Sequence, residues 1–210
     1  NQPSSKVVCI HNGVEPQNCN KRTENNIFGK TIVSFIGRVT YQKGPDYFVE
    51  AAAKVLEKDR NFVFVMAGDG DMLDKMTALV AKKRISENFF FTGFLKPDEL
   101  KQLLAETSVF VMPSVSEPFG IAPLEAMSSG VAAVISRQSG VSEVLTHAIK
   151  VDFWDIDAMS DAIYSIGRHK VLSDMLCEKG KAEVAALTWD KAADKLSELY
   201  NQIANKTPQI

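Results

Sequence analysis

Arg38 and Lys43 are two cationic side chains that lie five positions apart in a short segment with several glycines. Arg38 follows Gly37 at the end of an apolar run, and Lys43 precedes Gly44-Pro45, where a helical pattern begins. An arginine guanidinium can hold two phosphate oxygens at once, and a lysine ammonium adds a point charge. The glycines allow the backbone to approach a ligand closely. The segment therefore predicts a diphosphate-binding loop, and the alternative is a pair of solvated surface cations.

A second candidate segment holds two carboxylates, Glu117 and Glu125, with seven residues between them. Pro123 suits the first turn of a helix, so Glu125 is predicted just inside that helix and Glu117 in the loop before it. Backbone N–H groups at residues 119–121, where such a helix starts, favour an anion such as phosphate. Glu125 is able to accept hydrogen bonds from vicinal hydroxyls, as carboxylates do for ribose. The alternative for Glu125 is a purely structural interaction with the helix dipole.

Two further loops carry polar groups with less specific chemistry. Asp69 and Asp71 form an Asp-x-Asp pair that would suit a divalent metal, but a Gly/Asp turn that caps the next helix accounts for them more simply. The segment 139–143 follows a predicted strand, so it either contacts the ligand or caps a short helix through Ser139 or Ser142. The three cysteines and three histidines of the sequence show no spacing typical of a metal site or a catalytic triad, so no metal is predicted.

The elements that must position these groups alternate between short apolar runs and helical patterns. Apolar runs predict strands at 31–36, 62–66, 89–93, 109–112 and 131–135, and a weak sixth at 150–153. Helical spacing predicts helices at 45–58, 72–83, 97–106 and 123–129, a short helix at 142–145, and mostly helical structure from 157 onward. Continuous apolar strands separated by such helices are typical of a parallel sheet covered on both faces. We therefore predict an open, doubly wound, Rossmann-like α/β fold of about six parallel strands, with its ligand at their carboxyl ends.

Length and composition exclude several classes of protein. The chain has 210 residues, of which 45% are hydrophobic and 24% charged, so by size it is one ordinary domain. No apolar run approaches the ~20 residues that span a bilayer. The net charge of −2 gives no basic field of the kind that binds nucleic acid. Cysteines without a pairing pattern, and a start without the pattern of a signal peptide, predict a reducing, cytoplasmic location.

Together the motifs resemble the C-terminal half of retaining GT-B glycosyltransferases, and most closely the family called glycosyl transferases group 1. The two glutamates match that family's E-x7-E motif. The resemblance covers about residues 7–200, and it rests on the joint order of the motifs rather than on any one of them. The residues that carry it are Gly37-Arg38, Lys43-Gly44, Gly68-Asp69-Gly70, Gly93, Met112-Pro113-Ser114, Glu117-Pro118-Phe119-Gly120, Glu125-Ala126-Met127 and Gly130.

The resemblance implies an enzyme that transfers a sugar from a nucleoside-diphosphate sugar to a saccharide or other acceptor, with retention of configuration and without cofactor or metal. It implies that Arg38 and Lys43 bind the donor diphosphate, that Glu125 holds the ribose hydroxyls and that residues 93–95 border the base. The implied catalytic groups are Glu117, Arg38 and Lys43. The implied donor-binding residues are Gly37, Arg38, Lys43, Gly93, Phe94, Leu95, Glu117, Phe119, Gly120, Ile121 and Glu125.

The resemblance also predicts the domain organisation. Residues 1–30 are interpreted as the end of an interdomain linker and a polar loop, 31–187 as the nucleotide-sugar-binding domain, and 188–210 as a helix that packs toward a missing N-terminal domain. Residue 1 is Asn, and Asn12-Gly13 is a turn signal, so we expect a cut close to the linker. The missing domain is expected to bind the acceptor and to make any peripheral contact with a membrane.

Two other functions stay open at this point. A nucleotide-sugar-binding module that has lost catalysis would share the fold, although the presence of Glu117, Arg38 and Lys43 favours an enzyme. An epimerase or phosphorylase of the same architecture would share it too, and a phosphorylase would need a pyridoxal-binding lysine that the sequence does not reveal. The chain departs from the family pattern at Ser139-Gly140, so contact between loop 139–143 and the ligand also stays open.

Overall fold

The computed structural model describes residues 7–14 and 29–204 of the chain. Residues 1–6 and 15–28 of the predicted linker and polar loop (1–30), and residues 205–210 of the predicted C-terminal segment, lie outside this part. A six-stranded sheet forms the centre of the described residues. Its strands are β1 (Thr31–Ile36), β2 (Phe62–Ala67), β3 (Phe89–Gly93), β4 (Val109–Met112), β5 (Ala132–Ser136) and β6 (Ile149–Val151).

Helices follow the strands along the described chain. They are α1 (Pro45–Lys58), α2 (Leu73–Lys82), α3 (Pro97–Glu106), α4 (Ala122–Ser128), α5 (Ile156–Arg168), α6 (Lys170–Val184) and α7 (Trp189–Ala204). Short 3₁₀ turns occur at Tyr41–Lys43, Ser86–Asn88 and Gly140–Glu143.

The strand order is β3-β2-β1-β4-β5-β6, and every neighbouring pair is parallel. The chain moves outward from β1 to β3, then returns to the other side of β1 and moves outward again to β6. The predicted doubly wound α/β fold is confirmed. Because the direction of winding reverses between β1 and β4, the helices that follow these two strands cover opposite faces of the sheet, and a crevice is expected at the carboxyl ends of the strands.

Helix α1 illustrates how the local sequence sets an element. Gly44 precedes it with a left-handed φ of 64°, and Pro45 occupies its first turn, where the fixed proline φ is already helical. Phe48, Val55 and Leu56 recur at helical spacing and are buried against the sheet. Burial of each such side chain contributes roughly 1.5–3 kcal/mol. Gly44 and Pro45 therefore set the start of α1 after β1, and the apolar face of the helix packs it on the sheet.

Helices cover both faces of the sheet. Apolar side chains of α1, α2 and α5 form one core with the sheet, and those of α3 and α4 pack on the other face. Helix α6 contributes Leu176 to the first core and Val184 to the second. Strand β2 is buried along its whole length, as a strand inside a doubly covered sheet must be.

Helix α7 differs from the other helices because none of its residues is buried in the described structure. Trp189, Leu196, Tyr200 and Ile203 are between 40% and 63% exposed, and their spacings of seven, four and three residues place them along one face of the helix. No described helix is both long and apolar enough to cross a membrane. That α7 packs toward a further domain stays a prediction.

Candidate functional site

Lys43 and Glu117 lie on the two loops that leave the neighbouring strands β1 and β4. Lys43 ends the 3₁₀ turn between β1 and α1, and Glu117 belongs to the loop between β4 and α4. Since the winding of the sheet reverses between these strands, both loops border the same crevice. The structure thus brings together two groups that are far apart in the sequence.

These two loops are fastened to each other by their backbones. The N–H groups of Val115 and Ser116 donate to the carbonyl oxygen of Gln42, at 2.9 and 3.3 Å. Gly44 lies so close to the other loop that a Cβ at this position would meet the Pro113 carbonyl oxygen at 2.2 Å. A glycine is therefore required here both for its left-handed φ and for this approach.

Lys43 and Glu117 form an ion pair across the junction, with Lys43 Nζ donating to Glu117 Oε2. The side chains are 24% and 10% exposed, so their attraction is screened less by water than that of a surface pair. The pairing thereby neutralises the charge of Lys43. An anion that binds Lys43 has to share it with Glu117 or displace that carboxylate.

A cavity of about 340 Å³, here called the first cavity, opens beside this ion pair. Five of the predicted site residues line it: Lys43, Glu117, Phe119, Gly120 and Ile121. The remaining lining residues are Asn12, Phe35, Ile36, Val111, Met112, Ser114, Pro118 and Ala122.

The donor loop, defined as residues 117–121, offers backbone donors to this cavity. In the described structure the N–H groups of Phe119, Gly120 and Ile121 donate no hydrogen bond. Gly120 has a φ of 96°, and a Cβ there would lie 3.1 Å from the Glu117 side chain. Unpaired N–H groups of consecutive residues beside an ammonium group suit a bound anion.

A second cavity of about 300 Å³ adjoins the first, because Ile36 lines both. Predicted residues Gly37, Arg38, Phe94 and Leu95 line it, together with Ile36, Ala67, Gly68, Asp69 and Leu100. None of the ion pairs between described residues involves Arg38, and the Phe94 side chain is 81% exposed. The two cations predicted to share one phosphate loop therefore line neighbouring cavities.

Gly93 and Glu125 are predicted binding residues that line neither cavity. The Gly93 carbonyl oxygen accepts from the Gly68 N–H at 2.8 Å, so it joins the ends of β2 and β3. Glu125 lies half-buried in the first turn of α4, and burial raises the pKa of its carboxyl. The predicted contact of Glu125 with ribose stays a prediction.

The turn that the sequence indicated lies at residues 70–73, where the Leu73 N–H donates to the Gly70 carbonyl oxygen at 3.1 Å. The expected capping of α2 by this segment is wrong, because no side chain makes a capping hydrogen bond at the start of that helix in the described structure. Asp69 Oδ1 accepts from the Gly70 N–H at 2.7 Å, and the Asp69 carbonyl oxygen accepts from Val39 N–H at 2.9 Å. Residues 7–14 and 29–204 contain no cluster of three or more His, Cys, Asp or Glu side chains arranged to hold a metal.

The late loop, residues 139–143, packs behind the donor loop. The Gly140 N–H donates to the Glu117 carbonyl oxygen at 3.0 Å, and the Val141 N–H donates to that of Phe119 at 2.8 Å. Gly140 approaches so closely that a Cβ would meet the Pro118 carbonyl oxygen at 2.0 Å. The late loop therefore supports the donor loop through the backbone.

Neither serine of the late loop caps its 3₁₀ turn, so the expected capping role is wrong. The Ser139 hydroxyl instead donates to the Ser136 carbonyl oxygen at 2.7 Å, and the Ser142 hydroxyl to that of Arg137 at 2.8 Å. Both hydroxyls point back to the end of β5 because the turn follows that strand directly.

Sequence reasoning missed three residues at this site. Asn12 lines the first cavity, and the His11 ring packs on Phe119, although both were assigned to a linker. Ser114 also lines the cavity, and its buried hydroxyl oxygen has no hydrogen-bond partner in the described structure. For Asn12 and His11 the only sequence signal was the predicted Asn12-Gly13 turn, and a turn does not indicate which residues it contacts.

The fold and site define a Rossmann-like α/β domain with an anion-suited crevice at its switch point. The chain belongs to the glycosyl transferases group 1 family, whose model matches residues 18–183. An uncharacterised glycosyltransferase of Methanocaldococcus jannaschii is 35% identical over 217 residues, which cover 95% of this chain. The chain spans 55% of the length of that relative.

Solved structures share the fold. TarM of S. aureus, in complex with fondaparinux, α-GlcNAc-glycerol and UDP, matches 92% of this chain and 39% of its own, with a TM-score of 0.81 and 23% identity. HepE of Anabaena, in complex with UDP-glucose, matches 83% of this chain and 50% of its own, with a TM-score of 0.75 and 16% identity.

Proposed function

We propose that this chain is the donor-binding half of a retaining glycosyltransferase and holds a nucleoside-diphosphate sugar for transfer to a saccharide or other acceptor. The observation that carries the proposal is the first cavity, where Lys43 and Glu117 meet beside the unpaired N–H groups of the donor loop. Membership of the family supports it, as do the complexes of two fold relatives with UDP and with UDP-glucose.

The diphosphate binds in the first cavity. Lys43 provides the ammonium charge, and Phe119, Gly120 and Ile121 provide backbone N–H donors. Arg38 reaches the diphosphate from the adjoining second cavity, where no described carboxylate pairs with it. Two cations and several neutral donors match a group that carries two to three negative charges.

The nucleoside extends into the second cavity. Leu95, Leu100 and the exposed Phe94 give this cavity apolar surface suited to a planar base. Glu125 accepts from the ribose hydroxyls. Its half-buried carboxyl makes a charged hydrogen bond to a hydroxyl stronger than it would be in water.

The chemistry requires the bond between the anomeric carbon and the β-phosphate oxygen to break. Negative charge develops on the departing phosphate, and Lys43, Arg38 and the donor-loop N–H groups stabilise that charge as it forms. Glu117 lies against the sugar and the phosphates. We infer that the acceptor hydroxyl attacks the anomeric carbon from the face of the leaving group, which retains the configuration, and that its proton passes to the departing phosphate. Product analysis by NMR with the intact enzyme tests this, because an inverted anomer contradicts it.

The acceptor binds to a second domain that packs on α7. The exposed apolar side chains Trp189, Leu196 and Tyr200 provide the surface for that contact. The crevice at the ends of β1 and β4 then forms one wall of the complete active site. We expect the 210-residue chain alone to bind nucleotide and to transfer little or no sugar.

Calorimetric titration of the 210-residue chain with UDP, GDP and ADP tests the donor site. We expect at least one of them to bind, and Lys43→Ala to weaken that binding more than about tenfold, since a charge-assisted contact is lost. Lys83→Ala is the matched control, because Lys83 pairs with Glu50 far from the crevice. Absence of binding at millimolar nucleotide, or equal effects of the two variants, overturns the proposal.

The same substitutions test catalysis in the intact enzyme. We expect Arg38→Ala and Lys43→Ala each to lower turnover more than about tenfold, which is about 1.4 kcal/mol of transition-state stabilisation. Turnover within about threefold of wild type contradicts a role in stabilising leaving-group charge.

A further inference from the structure

His11 lies on the donor loop, although it belongs to a segment that precedes the sheet. Its imidazole stacks on the Phe119 ring, with centroids 5.7 Å apart and planes inclined by 28°. Its Nε2 lies 3.6 Å from Glu143 Oε2 and 3.5 Å from Cys9 Sγ. The ring is therefore held between the donor loop and the late loop.

The segment 7–14 that carries His11 is anchored close to that ring. The Val14 N–H donates to the Leu187 carbonyl oxygen at 2.8 Å. Gly13 lies against the turn before α7, and a Cβ there would meet the Trp189 backbone nitrogen at 2.2 Å. Only Asn12 separates His11 from this anchor, so the α6–α7 turn sets the position of the ring.

Phe119 is held from two directions as a result. Its carbonyl oxygen accepts from the Val141 N–H at 2.8 Å, and its ring packs against His11. Glu143, which approaches His11, belongs to the same 3₁₀ turn as Val141. Three segments that are distant in the sequence thus meet at one aromatic contact.

We propose that His11 is a positioning residue of the donor site. Its stacking on Phe119 holds the donor loop in the conformation that leaves the N–H groups of residues 119–121 unpaired. Without this support the loop would relax, because unpaired backbone donors favour any rearrangement that satisfies them. His11 does not line the first cavity, so it acts through Phe119. That these N–H groups bind phosphate rests on the proposed function, whereas the positioning of the loop by His11 does not.

Amide hydrogen exchange of the unliganded 210-residue chain tests the positioning directly. The Gly140 and Val141 amides donate to the donor loop, so their exchange reports its opening. We expect His11→Ala to speed their exchange at least about fivefold and His11→Phe to restore it within about twofold, because phenylalanine keeps the stacked ring. Val8→Ala is the control, since Val8 is an exposed neighbour in the same segment.

Three results overturn the positioning role. His11→Ala exchanges like Val8→Ala, or His11→Phe fails to restore protection, or the amide of Val65 in the buried β2 is deprotected as strongly as those of the late loop. The last result would show a global loss of stability rather than a local release of the donor loop.

Calorimetry with UDP, GDP and ADP then tests the link to the ligand. We expect His11→Ala to weaken binding of the preferred nucleotide about fivefold and His11→Phe to bind like wild type. Faster exchange with unchanged affinity overturns the link to phosphate. If wild type binds none of the three nucleotides, the proposed function fails, while the exchange measurement still decides the role of His11.

Discussion

Lys43 and Glu117 stand 74 positions apart in the chain and meet as an ion pair between the loops that follow β1 and β4. The pair is shielded from solvent and lies on the wall of the first cavity. Glu117 therefore neutralises the cation that the proposed function assigns to the donor phosphate. The carboxylate keeps Lys43 in place, and it also competes with the ligand.

Glu117→Gln tests this competition. The substitution keeps the shape of the side chain and removes its charge, so Lys43 is no longer neutralised. We expect the affinity for inorganic pyrophosphate and for the preferred nucleoside diphosphate to rise about three- to tenfold in calorimetry at low salt. Glu50→Gln is the control, because it breaks the pair with Lys83 away from the crevice. Equal or weaker pyrophosphate binding by Glu117→Gln would contradict the competition.

Gly44→Ala tests the junction of the two loops. The residue has a left-handed φ, and the new Cβ would meet the Pro113 carbonyl oxygen at 2.2 Å. We expect the free energy of unfolding to fall by about 3 kcal/mol or more in denaturant titrations. Gly29→Ala is a matched control with φ 59° and open space around the new Cβ, so only the strain of about 1 kcal/mol is expected. Equal losses in the two variants would show that the close approach is unimportant.

Ser114→Ala tests the unpartnered hydroxyl in the first cavity wall. Its oxygen is buried without a hydrogen bond in the described structure, so its removal should raise the free energy of unfolding by about 1 kcal/mol. Ser139→Ala is the matched control. That buried hydroxyl donates to the Ser136 carbonyl oxygen, and its loss should cost about 1 kcal/mol. A destabilised Ser114→Ala would instead indicate a hydrogen bond to a buried water.

Glu125→Gln separates the two interpretations of this carboxyl. Because burial raises its pKa, the folded state disfavours the charged form, and stability is lost as pH rises through that range. A donor-binding role thus predicts that the variant unfolds at a higher temperature at pH 7 and binds nucleoside diphosphate about tenfold more weakly, with pyrophosphate affinity unchanged. A purely structural interaction with the helix dipole predicts lower stability and unchanged binding.

Glu183, which lies away from the crevice, makes a pH-dependent contribution to the free energy of unfolding. Its carboxylate accepts from the N–H groups of Thr146 and His147 at 2.7 and 2.9 Å. Burial opposes the charged form, but these hydrogen bonds outweigh it and lower the pKa of Glu183. The stabilisation is therefore present above the carboxyl's ordinary pKa and is lost as pH falls through the lowered value.

Glu183→Gln should then lower the free energy of unfolding at pH 7 by about 1–3 kcal/mol, because hydrogen bonds to a charged acceptor are lost. The difference from wild type should vanish in acid, as followed by denaturant titrations at several pH values. Glu178→Gln, an exposed glutamate on the same helix, is the control. A difference that persists in acid would point to packing rather than charge.

Most of the fold was predictable because its signals are local. The runs at β1 and β4 and the helices α1 and α3 begin and end where their apolar spacing, glycines and prolines indicate. The ends of β5 and β6 shift by one or two residues, and the short turn lies at Gly140–Glu143 rather than at 142–145. These ends are set by pairing with neighbouring segments, such as the Arg137 N–H donating to Val151, which periodicity does not encode.

The residue types of the site were predictable from the sequence, but the contacts between these residues were not. Nine of the predicted residues line the two cavities, because glycines and charges at strand ends mark the ligand edge. The ion pair of Lys43 with Glu117 depends on β1 and β4 being neighbours, which only the strand order decides. His11 and Asn12 reach the site through the anchor at Leu187, a contact between opposite ends of the chain.

The second cavity is lined only by residues between Ile36 and Leu100. The first cavity depends mainly on β4 and the loop before α4. The sheet places these stretches on opposite sides of the β1–β4 junction. Residues 62–106 provide most of the lining of the second cavity, whereas Asn12, Phe35, Ile36 and Lys43 join the later residues in the first. Recombination between related genes at the loops that bound residues 62–106 would exchange most of the lining of the second cavity as one unit. Ligand preference is thereby able to diverge while the Lys43–Glu117 pair is inherited unchanged.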